Sequence, residues 1–267
     1  MDARQTAISF FRKSRLLWLI EQLRLWKKTH ESHDANHAFV AQHPDFPTPP
    51  LDLMYDAYAH CYYDYYMSSG ISHANVIADM IKRYKTESDL VVCEWGCGPA
   101  RVVRHLQAVH GGIRTVIGTD YNQQTISWCQ REFPHIRFLK NGLAPPLDIS
   151  DHSLDVLYCI SVFTHLSELM HYAWMNEIQR VLKPGGLFIG TFQGEKTKHK
   201  LLPSELLRYS SGELVVRNKV KEGSRLYSAF HSDVFVEKKL LAQFSNVQKD
   251  YADTLDHTIW CAIAPQQ

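Results

Sequence analysis

Two acids and a glycine turn lie close together in the middle of the chain. Residues 91–101 read VVCEWGCGPAR: an apolar run, Glu94, then Gly96, Cys97 and Gly98. A glycine-rich turn between a strand and a helix lets backbone approach a ligand and aims N–H groups at it. The dinucleotide fingerprint GxGxxG is not met, because its third glycine falls on Arg101. Glu94 would repel a pyrophosphate, yet it suits an ammonium or a sulfonium group. Asp120 ends the apolar run TVIGTD, and an acid at such a strand end can accept hydrogen bonds from both hydroxyls of a ribose. Together these residues describe a nucleoside ligand with a cationic tail and no pyrophosphate. S-adenosylmethionine (SAM) has that chemistry.

Other residues could serve a second reactant. His165, in SVFTH, and His231, in SAFHS, are candidate general bases with a suitable unperturbed pKa, or else histidines that hydrogen-bond their own loops. Tyr55, Tyr58, Tyr62 and Tyr65 recur as one helix face, widened by Tyr63 and Tyr66. That face either packs on the domain or walls a pocket, with Tyr62, Tyr65 and Tyr66 the candidate lining residues; aromatic faces attract cations such as sulfonium. His30, His33 and His37 have a spacing that suits a metal on a helix, but they run toward a proline linker with no cysteine, and no metal is expected. The compact basic run at 194–200, GEKTKHK, reads as a solvated loop before it reads as a nucleic-acid contact.

These residues need a scaffold. Residues 8–28 carry apolar groups at helical spacing, an amphipathic helix that packs on the domain, dimerises or lies on a membrane surface. HPDFPTPP at 43–50 cannot continue a helix, and the catalytic domain is placed from 51 onward. The pattern then predicts helices at 51–70, 72–84, 101–109, 123–132, 166–182 and 232–244. Strands are expected at 90–93, 115–119, 136–139, 154–160, 186–192, 247–251 and 257–264. Such alternation implies an α/β fold with a mostly parallel sheet covered by helices on both faces. Residues 193–230 lack a clean period and read as an insertion, or lid, over the ligand edge of the sheet.

With these motifs in order, the sequence resembles the class I SAM-dependent methyltransferases. EWGCGPAR is similar to their first motif, with Ala100 where a glycine is usual, and Asp120 matches the ribose-binding acid. Residues 139–166 resemble the adenine-side loop and fourth strand, with Asn141, Gly142 and Leu143 where the family often has an acid. EIQRVLKPGGLFIGTF at 177–192 resembles the family's helix, turn and fifth strand. The resemblance implies a Rossmann-like, seven-stranded sheet with the last strand antiparallel, and SAM across its carboxyl edge. Glu94, Gly96, Cys97, Gly98, Asp120, Asn141, Gly142, Leu143 and Ser161 would line the cofactor. Tyr121 would either cover the adenine or stand as a surface aromatic.

Composition narrows the setting. The chain has 267 residues, 45% of them hydrophobic, which is enough for a sizeable core. Lys and Arg number 29 against 28 Asp and Glu, so no global field would hold a polyanion. Six cysteines without a CxxC pair, several within apolar runs, suit reduced thiols in a cytoplasmic protein. The expectation is a SAM-dependent methyltransferase acting on a small molecule, glycan precursor or natural product, with oxygen the favoured acceptor atom. Nucleic acid is not an expected partner, and the N-terminal helix offers a homodimer contact. The alternatives are a protein or RNA methyltransferase, or a silent SAM-binding subunit.

Overall fold

A computed structural model describes residues 16–266. Its centre is a seven-stranded sheet built from β1 (Leu90–Trp95), β2 (Ile113–Asp120), β3 (Arg137–Lys140), β4 (Leu154–Cys159), β5 (Leu182–Phe192), β8 (Ser245–Asp250) and β9 (Thr258–Ile263). The order is β3-β2-β1-β4-β5-β9-β8. The first five strands pair in parallel, and β9 runs antiparallel to both β5 and β8. Strands β1 and β4 are covered on both faces, which is why LVVCEW and LDVLYC read as nearly continuous apolar runs. Two cores result. One packs Ile77, Ile81, Val92 and Val116, and the other packs Cys93, Leu157, Trp174 and Phe188. The expected α/β architecture, with its seven-stranded sheet, is the one observed.

The N-terminal half departs from the expected elements. Helix α1 runs Leu16–Gln42, well past residue 28, and ends where the proline segment begins. The first part of the expected helix, residues 8–15, lies outside the described residues. Burial of Ser32, Asn36 and Phe39 carries α1 beyond its apolar stripe. The single tyrosine-faced helix expected over 51–70 is instead two helices, α2 (Leu51–Tyr58) and α3 (Tyr63–Tyr84), the latter absorbing the expected helix at 72–84. Asn36 provides the reason. Its Nδ2 donates to the Cys61 carbonyl at 2.7 Å and its Oδ1 accepts from the Tyr63 N–H at 2.9 Å. Backbone groups that a continuous helix would pair internally thus find partners on α1, and Ala59 turns the chain with φ 58°. Gly70 sits mid-helix because a Cβ there would come within 2.2 Å of the Arg101 carbonyl oxygen.

The helix expected at 101–109 shrinks to a 3-10 turn (Val103–His105) and one α turn, α4 (Leu106–Val109). Ala100 takes a left-handed φ of 57°, so the turn after the glycines extends further than the apolar spacing suggests. Helices α5 (Gln123–Glu132) and α6 (Glu168–Val181) are close to expectation, capped by the side chains of Asn122 and Ser167. Residues 193–230 hold a 3-10 turn (Glu195–Lys200), α7 (Pro203–Ser210) and the antiparallel pair β6 (Val215–Arg217) and β7 (Ser228–Phe230). The expected helix at 232–244 is a short turn, α8 (Asp233–Phe235), continued by a π turn (Val236–Leu240). No helix among the described residues is long and apolar enough to cross a membrane.

Candidate active site

The carboxyl ends of β1, β2 and β4 open into a cavity of about 470 Å³. Its floor is backbone held by backbone. The N–H groups of Gly96 and Cys97 both donate to the Thr119 carbonyl, at 2.8 and 2.9 Å, tying the glycine turn to the end of β2. Gly96 has φ 76° and Gly98 φ 52°, conformations that a side chain would strain. Asp120 fixes the turn from the other side: Oδ2 accepts from Gly98 N–H at 3.0 Å and Oδ1 from Asn122 N–H at 2.8 Å. Its pKa is still raised to about 6, because burial outweighs those hydrogen bonds. Glu94 is buried beside it, accepts the Tyr158 hydroxyl at 2.9 Å, and is pushed up by burial to about 8.

The side toward β3 is formed by Tyr121, Asn141, Gly142 and Leu143. The buried Oδ1 of Asn141 has no hydrogen-bond partner among the described residues and is free to accept from a ligand donor. The Tyr121 hydroxyl donates to the Gly223 carbonyl at 3.3 Å. Trp174 Nε1 donates to the Leu143 carbonyl at 2.9 Å, and its ring lies 4.3 Å from that of Trp95, so this loop rests on aromatic packing.

The roof comes from distant segments. The turn Phe163–His165 follows β4, and His165 lines the cavity. A carbonyl can only accept, so His165 Nδ1 carries the proton it donates to Tyr227 O at 2.8 Å. In the neutral ring, Nε2 is therefore left with the lone pair. Burial lowers this pKa below the ordinary 6.5, against the opposing pull of the Tyr227 carbonyl and Asp56. Gly223 N–H donates to the His165 carbonyl at 2.9 Å, and Ser167 N–H donates to Glu222 Oε1, binding the 218–227 segment to the same turn. Arg225 lines the cavity, lies 4.3 Å over the Tyr55 ring and forms an ion pair with Glu21 of α1.

Sequence-selected residues divide accordingly. Glu94, Gly96, Cys97, Gly98, Asp120, Tyr121, Asn141, Gly142, Leu143, Ser161, His165 and Tyr65 all line the one cavity. Three candidates do not. His231 is fully buried behind Phe163 and Phe192, its Nε2 2.7 Å from Nε2 of His171, because the element after β7 packs into the second core. Tyr66 is buried, with its hydroxyl donating to the Pro99 carbonyl. Tyr62 precedes α3 and reaches the Glu31 carbonyl at 3.5 Å. The break between α2 and α3 turned both tyrosines away from the cavity.

Several lining residues were not singled out from sequence: Asp56, His60, Arg101, Arg225 and His257. His257 Nδ1 lies 2.7 Å from the hydroxyl of Ser161, whose φ is 61° and whose N–H donates to Thr191 Oγ1. Only Arg101 carried a sequence signal, standing directly after the glycine motif. The others converge from segments remote in sequence, with no pattern linking them.

Comparison with known proteins agrees with this geometry. Residues 92–186 match a family described as methyltransferase domain. A protein of Mycolicibacterium smegmatis, described as "Probable S-adenosylmethionine-dependent methyltransferase", is 32% identical over 98 residues, 37% of this chain. This chain spans 36% of that relative's length. A Pyrococcus horikoshii protein structure aligns with TM-score 0.54 at 17% identity, over 76% of this chain and 96% of that one. A SAM-dependent methyltransferase from Mesorhizobium loti aligns with TM-score 0.54 at 13% identity, over 73% of this chain and all of that one. These two structures speak to the fold. Residues 92–186, which carry the glycine turn, are thus similar to a methyltransferase domain, and the overlapping relative is described as SAM-dependent.

Proposed function

We propose that this protein transfers the methyl group of SAM to an oxygen of a small-molecule acceptor, with His165 as general base. The observation that carries the reading is one cavity holding both the acid-flanked glycine turn and a histidine with a proton-free Nε2. The donor set fits the cofactor. Buried carboxylates suit its cationic end and its ribose, and the unpartnered Asn141 Oδ1 is an acceptor suited to an adenine amino group. A Cβ on Gly98 would fall 2.9 Å from the Tyr58 hydroxyl, so the absence of a side chain lets α2 pack closely on the turn. In this assignment Asp120 holds the ribose, Glu94 faces the methionine end, and Tyr121 with Asn141 to Leu143 borders the adenine.

When bound, SAM supplies an activated methyl group for in-line displacement. The chain supplies position and a proton acceptor. Holding two reactants in line lowers a barrier by about 7–11 kcal/mol in favourable cases. A hydroxyl acceptor also needs to lose its proton, and His165 Nε2 is the atom placed to take it. The Tyr227 carbonyl steadies the imidazolium by accepting a hydrogen bond from its Nδ1–H. The 193–230 insertion and residues 16–50 act as a cover, since Arg225 and Glu21 bridge them over the cavity. Such enclosure favours a small acceptor and disfavours a macromolecule.

Incubating a metabolite extract with ¹³C-methyl SAM tests the reading. The labelled product is expected to show an O-methyl carbon by NMR. A methyl on nitrogen or carbon overturns the oxygen assignment, and absence of any labelled product overturns the transfer itself.

A further inference from the structure

Helix α1 has two dissimilar faces. Its inner line, Leu25, Ser32, Asn36 and Phe39, packs toward α2 and α3, where Asn36 holds the break between them. Leu19, Leu23 and Trp26 follow at i, i+4 and i+7 on the far side and are 48, 66 and 67% exposed. Trp18, just before them, is exposed as well. The contrast with the other four tryptophans is complete, since Trp95, Trp128, Trp174 and Trp260 are all buried. An apolar ridge gathered on one exposed face marks a contact surface.

Charge says what it contacts. Residues 1–31 hold seven Lys and Arg against three Asp and Glu, which leaves 22 against 25 for the rest of the chain. The positive surplus therefore sits in the segment that carries the ridge. Arg24 and Lys27 beside the ridge are largely exposed. Glu21 serves both Arg24 and Arg225, and Glu31 serves both Lys27 and Lys28, so two carboxylates are shared among four cations. Exposed pairs of this kind are weak and yield readily to a phosphate.

We propose that this outer face of α1 docks on an anionic lipid surface. Leu19, Leu23 and Trp26 enter the interfacial layer, and Arg24 and Lys27 meet lipid phosphates, the division of labour of an interfacial helix. No helix among the described residues can cross a bilayer, so the contact is with its surface. A second copy of the chain fits poorly. Two such faces would bring like charges together, and three side chains are few against the roughly 20–30 residues per side of a stable interface. Glu21 of the same helix pairs with Arg225 in the cavity's cover, so docking sets that cover near the lipid. The docking does not depend on methyl transfer.

The test sediments the full chain with sucrose-loaded vesicles of phosphatidylcholine, alone or with one third phosphatidylglycerol. Binding to the anionic vesicles is expected to exceed binding to the neutral ones about tenfold or more, and to weaken as salt is raised. Leu23→Ser with Trp26→Ser should cut it about tenfold, and Lys27→Gln with Lys28→Gln several-fold on anionic vesicles only. Brominated acyl chains give a readout that needs no loss of binding. They should quench tryptophan emission, and Trp18→Phe with Trp26→Phe should remove most of the quenching while binding stays within about twofold. Quenching that persists in that variant, equal binding to both vesicles, or no binding by the wild-type chain overturns the proposal. So does a lipid-free dimer that Leu23→Ser with Trp26→Ser dissociates, because the face would then belong to a second copy.

Discussion

The floor and the roof of the cavity are built on different principles. On the floor, Gly96 and Cys97 are held to the Thr119 carbonyl by backbone hydrogen bonds, and Gly98 N–H to the Asp120 carboxylate, between adjacent parallel strands. Those residues are close in sequence, and their geometry follows from strand register. On the roof, Asp56 and His60, His165, Arg225 and His257 arrive from four separate segments and are held by side-chain contacts: Asn36 to Cys61, Glu21 to Arg225, Ser161 to His257. The floor is thus suited to an invariant ligand. The roof can change by single substitutions without disturbing the sheet, which is what a site for a variable second reactant needs.

The sharpest way to separate the two is to remove one group from each. His165→Ala is expected to lower kcat by on the order of 10²–10⁴ while SAM affinity stays within about twofold, measured with an acceptor found by the labelling screen. Wild-type turnover in that variant would return His165 to a role in holding the 218–227 segment. Asp120→Ala should act in the opposite sense. Losing a charged acceptor that also pins Gly98 is expected to weaken SAM by about 10–100-fold in calorimetry. Unchanged affinity would remove Asp120 from the cofactor site.

Acid gives a finer probe of the floor. The Glu94 carboxyl is raised to about 8 by burial, so in the free protein it holds a proton near neutrality. A cation bound beside it favours the ionised form. SAM binding at pH 7 is therefore expected to release up to one proton, seen as a dependence of the calorimetric heat on buffer ionisation, and affinity should rise as pH approaches 8. Glu94→Gln abolishes the release; its persistence would assign the proton to another group.

The smallest effect concerns stability and lies behind the roof. His171 Nδ1 donates to the Ser167 carbonyl, so its Nε2 must accept from His231, a pairing that requires the His171 ring to be neutral. Burial lowers His171 to about 4 and His231 well below 6.5. Because the folded pKa is depressed, the stabilisation is complete above about pH 6.5 and is lost as pH falls toward 4. For His171 this amounts to roughly 2 kcal/mol between pH 7 and pH 5, read from denaturant midpoints. His171→Gln should be less stable at neutral pH yet lose less on acidification. An unchanged acid slope would mean that this pair does not titrate with unfolding.

Much of the floor was legible because its determinants are local. An apolar run buried on both faces marks a parallel strand, and a glycine pair after it marks a turn that side chains cannot adopt. An acid at the end of the next strand then falls beside that turn through register alone. The tyrosine face was misleading for the converse reason. Spacing reports what a helix would do by itself, and Asn36 on α1 offered the backbone at Cys61 and Tyr63 better partners.

Sequence by itself therefore determined the sheet, the glycine turn with Glu94 and Asp120, and the kind of ligand these suit, since each depends on neighbours within one β-α-β unit. It could name His165 and His231 as candidate bases but not choose between them. Tertiary structure alone decided that His165 faces the cavity with Nε2 free while His231 is sealed against His171. It also decided that Arg101 lies over the Tyr58 ring with no ion-pair partner among the described residues. Those outcomes depend on which distant segments cover a side chain and which carbonyl takes its proton, and neither is written in the spacing of residues along one element.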